Sequence, residues 1–503
     1  MEPNANQVGQ AGVRRIALTS FGSYAVPVLI SLVAMPIVFR ILGASGFGVL
    51  AIALLSPALA ASLDFGLTSA AVRRLAPAIE EGRELAGRAL GSYAAALATI
   101  GLLLGATVAF TAPWLVDWLG FESVLGAAHG AELLRLCALW MGLSLALSVP
   151  SLVLRARQRF GVLTVIQSLA TLAQWTAAIL LAARGGSLWT IVASGLLITV
   201  ASFVACFALT RRELPSETRL TFDAAILRSD LRFSFGMFIA QLSTALAFQL
   251  DRAVVSALSS PATAGIYSLC VGVANKTLFA IGSLTSFAFP RVAAMRGRSM
   301  EAEAGALLQA LLRVAGVLIA PVLIPAVLLT QPFLTLWLGT ASHDATRLMQ
   351  LLWLGYAIAA FCAPATHVIT GTGTARLAAI FAWVTAILLL SGMYVLVPRL
   401  GLPGAGIANL IAMSSALVFL FIVRRKLSSP ANPGARRLVF GIAAGCVAQL
   451  AFLFPVLPMV HGWLSFFAVG TSSLAIYQVV RWALRALSPE EQRLIHSINR
   501  CLR

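Results

Sequence analysis

Charged side chains stand inside several of the long apolar stretches of this sequence. Asp64 follows the uncharged residues 49–63, Asp251 and Arg252 lie together in FQLDRAVV, and Lys276 lies in GVANKTLF. An ionised side chain at the centre of a membrane helix costs about 2.5–3.5 kcal/mol on insertion scales. We therefore expect these residues to face the interior of a helix bundle, where they bind an ionic ligand or pair with each other, as Lys276 can with Asp251.

Polar and aromatic residues share helix faces with these charges. At helical spacing Gln241 and Phe248 fall on the face that carries Arg252, and Tyr24 belongs to a polar stripe of the first apolar stretch. One interpretation is a cavity that these side chains line. The other is a set of interhelical hydrogen bonds that hold packed helices together. Both interpretations are compatible with the spacing.

Asp64 has a position that limits its role. It lies nine residues before Arg73, which places it about 13 Å into the membrane at 1.5 Å per residue. Three roles follow from that depth: a contact that closes the cytoplasmic side, a ligand for a coupling ion, or a hydrogen bond that positions a helix. We expect Asp64 to face the space between two lobes of the protein, which favours the closing contact.

The composition indicates the elements that must position these residues. The chain has 503 residues, of which 59% are hydrophobic and 11% are charged, whereas soluble domains carry about 25% charged residues. Its apolar stretches have the length of about 20 residues that spans a bilayer. An all-α polytopic membrane protein with fourteen spans is predicted. The spans are 16–39, 48–72, 89–111, 131–154, 161–183, 188–209, 233–257, 264–289, 306–329, 346–369, 377–397, 404–423, 437–458 and 463–482.

The basic residues predict the orientation of these spans. Alternate loops between spans are rich in arginine, and the remaining loops hold only Arg40, Arg184, Arg347 and Arg399. Basic loops stay in the cytoplasm. The alternation never inverts along the chain, so both termini are predicted to be cytoplasmic.

An internal repeat divides the predicted spans into two lobes. A shift of 217 positions aligns Arg15 with Arg232, Gly48 with Gly265, and Arg74 with Arg291. Each repeat holds six spans, and an even number makes the repeats parallel. The predicted domains are a six-helix lobe at 1–210, a second six-helix lobe at 211–425, and two further helices with a basic tail at 426–503. Transporters of this architecture bind substrate between the lobes.

Other classes of function are disfavoured by the sequence. The net charge of +18 follows from the basic loops, so we expect no nucleic acid partner. The six cysteines are scattered without a CxxC pair, which predicts neither a metal site nor a redox site, and no cofactor is expected. No P-loop motif is present. The longest predicted outer loop, 112–130, is too short to hold an active site, so the protein is not expected to be an enzyme.

Several short motifs together resemble those of a known family. These are Leu42-Gly43, Phe47-Gly48, Asp64-Phe65-Gly66-Leu67 and Arg73-Arg74 in the first half, with Asp251, Gly265-Ile266-Tyr267 and Pro290-Arg291 in the second. The pattern resembles bacterial polysaccharide and O-antigen (Wzx-like) flippases of the multidrug/oligosaccharidyl-lipid/polysaccharide (MOP) superfamily. The resemblance extends over nearly the whole chain.

The resemblance implies a function and a location. Such flippases move an undecaprenyl-pyrophosphate-linked oligosaccharide across the bacterial inner membrane by alternating access, for exopolysaccharide, capsule or O-antigen synthesis. Arg252 and Lys276 would then bind the anionic groups, and Tyr24 and Phe248 would stack on sugars. The implied partners are the lipid-linked oligosaccharide, membrane lipid, and polysaccharide polymerase and export proteins. We expect a monomer.

Two related functions remain as alternatives. A lipid II flippase of peptidoglycan synthesis also has fourteen spans, but the first span here has no arginine between Arg15 and Arg40. A multidrug or cation antiporter of the same superfamily would need an acidic cation site, for which Asp64 is the candidate. The basic residues of the seventh and eighth spans disfavour the antiporter.

Overall fold

The computed structural model describes residues 5–214, 219–286, 288–295, 300–339, 342–427 and 435–484, with side chains from residue 27 onward except at 290, 294, 435 and 436. All secondary structure in these ranges is helical. The chain divides into two compact units, Met1–Leu269 and Cys270–Arg503.

The first unit contains the helices of the first six predicted spans and those of the seventh. Its helices are α1 (Ala5–Ala53), α2 (Ser56–Ser62), α3 (Leu67–Glu81), α4 (Arg83–Leu119), α5 (Glu122–Leu125), α6 (Ala127–Ala146), α7 (Val149–Ala156), α8 (Phe160–Ala183), α9 (Leu188–Thr210), α10 (Ala224–Phe248) and α11 (Leu250–Leu258). Helix α12 (Pro261–Ala274) begins in the first unit and ends in the second.

The second unit contains the remaining spans. Its helices are α13 (Lys276–Thr285), α14 (Ala288–Ala294), α15 (Met300–Leu328), α16 (Thr330–Leu338), α17 (His343–Gly371), α18 (Ala375–Leu400), α19 (Leu402–Lys426), α20 (Ala435–Val456) and α21 (Trp463–Ala483), with a short 3-10 helix at Leu457–Met459.

The helices confirm the predicted fold class. Within the described residues, thirteen segments are long and apolar enough to cross a membrane. Twelve of them coincide with the third to fourteenth predicted spans. The remaining segment, Pro27–Ser62, holds the end of the first predicted span and the start of the second. Gly43 separates these two because its φ of 71° lies in the left-handed region, which interrupts the helical backbone inside α1. An all-α protein with about fourteen spans is therefore confirmed.

The two compact units do not coincide with the predicted lobes. The seventh span packs within the first unit, because α10 contacts α2, α3 and α4, and α11 contacts α1 and α4. A sequence repeat and a packing unit are different properties of a chain. The lobes at 1–210 and 211–425 and the segment 426–503 therefore stay a prediction.

Two glycines that the repeat alignment equates lie against each other in the first unit. A Cβ on Gly48 would overlap the carbonyl oxygen of Pro261, and a Cβ on Gly265 would overlap the carbonyl oxygen of Ala44. Small residues at both positions let the backbones of α1 and α12 approach closely, which is a common way to pack membrane helices. The equivalent positions of the two repeats thus form one helix crossing.

A buried glutamine holds the last two helices in the second unit. Pro325 lacks the N–H that would bond to the carbonyl of Pro321 four residues earlier in α15. Gln449 of α20 donates a hydrogen bond of 2.9 Å to that carbonyl and one of 3.1 Å to the hydroxyl of Ser473 in α21. Because Gln449 is fully buried, these bonds tie α20 and α21 to α15 without leaving the carbonyl unsatisfied.

Candidate functional site

The second predicted span is broken where Asp64 stands. Helix α2 ends at Ser62 and α3 begins at Leu67. Between them Phe65 has a φ of 54° and Gly66 a φ of 73°, both in the left-handed region. A left-handed conformation at a residue other than glycine costs about 1–3 kcal/mol and is maintained only by its surroundings. The span therefore contains a strained four-residue break.

Asp64 maintains this break by accepting hydrogen bonds from the backbone. Its carboxylate accepts from the N–H of Gly66 at 2.7 Å and from the N–H of Thr68 at 3.0 Å. The side chain is fully buried. Backbone N–H groups at the start of a helix have no partner within the helix, and a negative charge there also interacts favourably with the helix dipole. This geometry favours the third role considered for Asp64, a hydrogen bond that positions a helix.

The four residues of the break, 63–66, pack against α10. A Cβ on Gly66 would overlap the carbonyl oxygen of Ser234, so only glycine allows this approach. The neighbouring Phe65 ring stacks on the ring of Phe238 with centroids 4.6 Å apart and planes inclined by 21°. Phe65 is nevertheless 46% exposed. One face of the ring contacts α10, and part of its surface is open.

A second break lies in the seventh predicted span and meets the first. Gln249 separates α10 from α11, with a φ of −128° and a ψ of −46°. Its Nε2 donates a 3.2 Å hydrogen bond to the hydroxyl of Ser62, the last residue of α2. Discontinuous membrane helices commonly form transporter binding sites, because irregular backbone is tolerated at membrane depth only inside protein or beside water. The two breaks define the candidate site.

An ion cluster at the middle of α3 joins three helices. We call the residues Arg73, Arg74, Tyr93 and Asp230 the Asp230 cluster. The Asp230 carboxylate lies 2.8 Å from Nη2 of Arg73 and 2.6 Å from Nε of Arg74, and it accepts a hydrogen bond from the hydroxyl of Tyr93. The cluster connects α3 and α4 to α10 of the seventh span.

The Asp230 cluster has the chemistry of a strong polar contact. Asp230 is 1% exposed, and three residues donate four hydrogen bonds to its two carboxylate oxygens. The hydrogen bond to Asp230 raises the pKa of the Arg74 guanidinium above its ordinary value, so this guanidinium stays charged. The Arg73 guanidinium also lies 4.0 Å from the centre of the Phe233 ring, a favourable cation–π distance.

Asp230 was not predicted to be a functional residue. The adjacent pair Arg73 and Arg74 is evident in the sequence, but no partner was predicted for it. The signal available was an acid near the start of an apolar helix, between Arg228 and Arg232. Its true partners lie 156 and 157 residues earlier in the chain, and no local pattern reveals a contact over that distance.

The residues predicted on the seventh span fall into two environments. Asp251 is fully buried and accepts hydrogen bonds of 2.9 Å from the Tyr267 hydroxyl and from the N–H of Arg252. Within the described chain, Arg252 Nε and Gln241 Oε1 are buried without a hydrogen-bond partner. Phe248 is half-buried at the end of α10. Asp251 thus has partners inside the first unit, and Arg252 and Gln241 hold unused hydrogen-bonding groups.

The last two predicted site residues lie elsewhere. Lys276 is half-buried and is the first residue of α13, in the second unit. Its pairing with Asp251 stays a prediction. The side chain of Tyr24 lies outside the part of the chain whose side chains the structure describes.

The fold is similar to that of solved transporters. A lipid II flippase, MurJ, in an inward closed conformation has a TM-score of 0.74 and 13% sequence identity, covering 93% of this chain and 98% of that one. An inward-facing multidrug resistance MATE family transporter of the MOP superfamily has a TM-score of 0.66 and 16% identity, covering 82% and 98%. The chain therefore has the fold of these multi-pass membrane proteins, as predicted.

The sequence places the chain within a particular family. A curated relative is the succinoglycan biosynthesis transport protein ExoT of Rhizobium meliloti (strain 1021), which is 26% identical over 355 residues, 70% of this chain and 67% of that protein. The family model described as polysaccharide biosynthesis protein matches residues 37–347. The chain belongs to this polysaccharide biosynthesis protein family. Its relatives are transporters, so the predicted absence of enzymatic activity agrees with the family.

Proposed function

We propose that this protein moves an undecaprenyl-pyrophosphate-linked oligosaccharide from the cytoplasmic to the outer leaflet of a bacterial inner membrane. The observation that carries the proposal is membership of the polysaccharide biosynthesis protein family over residues 37–347. The succinoglycan transport relative supports a polysaccharide precursor as cargo. The fold similarity to a lipid II flippase supports flipping but, at 13% identity, selects no cargo.

The proposed mechanism is alternating access between two groups of helices. In the predicted orientation the Asp230 cluster lies at the cytoplasmic ends of the second and seventh predicted spans, 48–72 and 233–257. It joins the second span to the seventh, so loading from the cytoplasm requires this contact to open. Arg252 and Lys276 bind the anionic groups of the cargo, since charge-assisted hydrogen bonds to phosphate are strong.

Location and partners belong to the same proposal. The protein acts as a monomer with both termini in the cytoplasm, and it delivers cargo to a polysaccharide polymerase and to export proteins. Substitution of Ser260 or His461 by cysteine should give labelling by an impermeant thiol reagent in intact cells, whereas substitution of Arg212 should not. Reversed labelling would overturn the orientation.

A deletion strain tests the proposed cargo. Loss of the protein should abolish the polymer and leave lipid-linked oligosaccharide in the inner leaflet. Arg252→Gln and Lys276→Gln should each reduce polymer by about tenfold, the factor expected when about 1.4 kcal/mol of binding is lost. Arg252→Lys and Lys276→Arg keep the charge, so strains with these variants should produce more polymer than strains with the Gln variants. Normal polymer in the deletion strain, or in a strain carrying both Gln substitutions, would contradict the proposal.

A further inference from the structure

We infer that Phe65 and Phe238 form a stacking platform for a sugar ring of the transported molecule, at the point where the broken second and seventh spans meet. The inference rests on the proposed function and specifies which part of the cargo binds here. In this proposal the break at Asp64 also positions Phe65 to bind the cargo.

The two rings have the arrangement that such a platform needs. Phe65 stacks on Phe238 with centroids 4.6 Å apart, and Phe65 remains 46% exposed. The face of an aromatic ring carries partial negative charge. The C–H groups on one face of a pyranose carry partial positive charge, so a sugar packs against such a face while its hydroxyls point outward.

Phe65 lies at membrane depth, within the broken part of the second span. The ring belongs to the non-helical residues between Ser62 and Leu67, about 12 Å along the chain from Arg73 at 1.5 Å per residue. Unwound backbone at this depth is tolerated beside water or protein and not beside lipid. In our proposal the open surface of Phe65 faces the polar cargo and not a lipid chain.

The backbone is arranged to keep Phe65 in place. Phe65 adopts a φ of 54°, which phenylalanine disfavours. The Asp64 carboxylate holds the following turn through Gly66 and Thr68, and Gly66 packs against the Ser234 carbonyl. Strain of this kind persists at functional sites when the surroundings enforce it. A purely structural turn would be more stable with glycine at residue 65.

Hydrogen-bonding groups stand beside the same two breaks in the chain. Ser62 stands three residues before Phe65 and accepts a 3.2 Å hydrogen bond from Gln249 Nε2. Gln249 Oε1 is buried and has no hydrogen-bond partner within the described residues. A sugar hydroxyl is a donor that would satisfy this acceptor. An aromatic face with adjacent amide and hydroxyl groups matches a carbohydrate better than an acyl chain.

The variants follow from the strain at residue 65. Phe65→Gly removes the ring and suits the left-handed backbone, so the variant should fold at least as well as the wild type. Phe65→Tyr keeps a ring and should bind normally. Phe110→Ala is the matched control, because Phe110 is an 88% exposed aromatic residue of α4 in the same unit.

The test measures binding to the full-length protein in lipid nanodiscs. Two probes are compared: the lipid-linked repeat unit from the producing strain, and undecaprenyl phosphate, which has no sugar. Phe65→Gly and Phe238→Ala should weaken binding of the first probe by about tenfold, a contribution typical of aromatic stacking. Binding of the second probe should not change, and Phe110→Ala should affect neither.

The outcomes separate this inference from the proposed function. If Phe65→Gly leaves both affinities unchanged, or weakens both equally, the sugar platform is wrong, and equal weakening assigns the rings to the lipid chain. If the wild-type protein binds neither probe, the proposed function itself fails. Retention of the repeat unit by Phe65→Tyr but not by Phe65→Gly would support the platform.

Discussion

Asp64 is the residue whose role the structure defines most closely. Its carboxylate accepts hydrogen bonds from Gly66 and Thr68, so it stabilises the start of α3 in the interior of the protein. A buried N–H that loses its acceptor destabilises the fold by about 1–3 kcal/mol. The acid in an otherwise uncharged stretch is thus explained by a broken helix that needs a cap.

Substitution of Asp64 tests this role. Asp64→Ala should lower the free energy of unfolding by about 1–3 kcal/mol, whereas Asp64→Asn keeps an acceptor and should lower it by less than half as much. Asp223→Ala is the control, because Asp223 caps α10 through Ala225 where water replaces the lost bond. Reversible detergent unfolding measures all three. An Asn variant of full stability that fails to transport would instead assign Asp64 to ion coupling or closing.

Asp230 joins the seventh span to the second and third by polar contacts. Removal of the carboxylate leaves the buried Tyr93 hydroxyl without its acceptor, while Arg73 and Arg74 are partly exposed and stay hydrated. Asp230→Ala should therefore destabilise by about 1–3 kcal/mol. Tyr93→Phe removes one hydrogen bond and should cost about 1 kcal/mol. A double-mutant cycle between Arg74→Ala and Asp230→Ala should give a coupling energy within about 0.5–3 kcal/mol. A coupling energy of zero would show that the interaction between Arg74 and Asp230 does not stabilise the protein.

At the scale of elements, the close crossing of α1 and α12 depends on two glycines. Because a Cβ on Gly48 would overlap the Pro261 carbonyl, Gly48→Ala must push the helices apart. We expect it to destabilise by about 1–3 kcal/mol, as overpacking does. Gly236→Ala is the matched control, since its Cβ would meet no atom within 4 Å. Equal unfolding free energies for the two variants would contradict the crossing.

The elements also show where prediction from sequence succeeds and where it stops. Hydropathy located the spans because each must cross the same bilayer thickness. The break at residues 63–66 was not predicted, since Leu63, Phe65 and Leu67 continue the apolar pattern and the left-handed φ of Phe65 has no hydropathy signal. The depth of Asp64 was evident, but its partners are N–H groups of its own chain, which the charge pattern does not reveal.

At the scale of the whole molecule, contacts between residues far apart in the chain could not be predicted from the sequence. The pairing of Arg74 with Asp230 joins residues 156 positions apart, and only folding brings them together. By contrast, the MOP fold and the polysaccharide family were evident from short motifs repeated in both halves of the chain. The first compact unit ends at residue 269 because α10 and α11 pack within it. The sequence repeat carries no information about this packing.

The central claim is that this protein moves lipid-linked oligosaccharide between leaflets, and reconstitution tests it most directly. Purified protein in proteoliposomes is given the fluorescently labelled lipid-linked repeat unit, and an impermeant quencher reports the leaflet that it occupies. We predict protein-dependent transfer of the repeat unit, and little transfer of lipid II or of undecaprenyl phosphate without sugar. Transfer no faster than in protein-free vesicles, or preferential transfer of lipid II, would contradict the account.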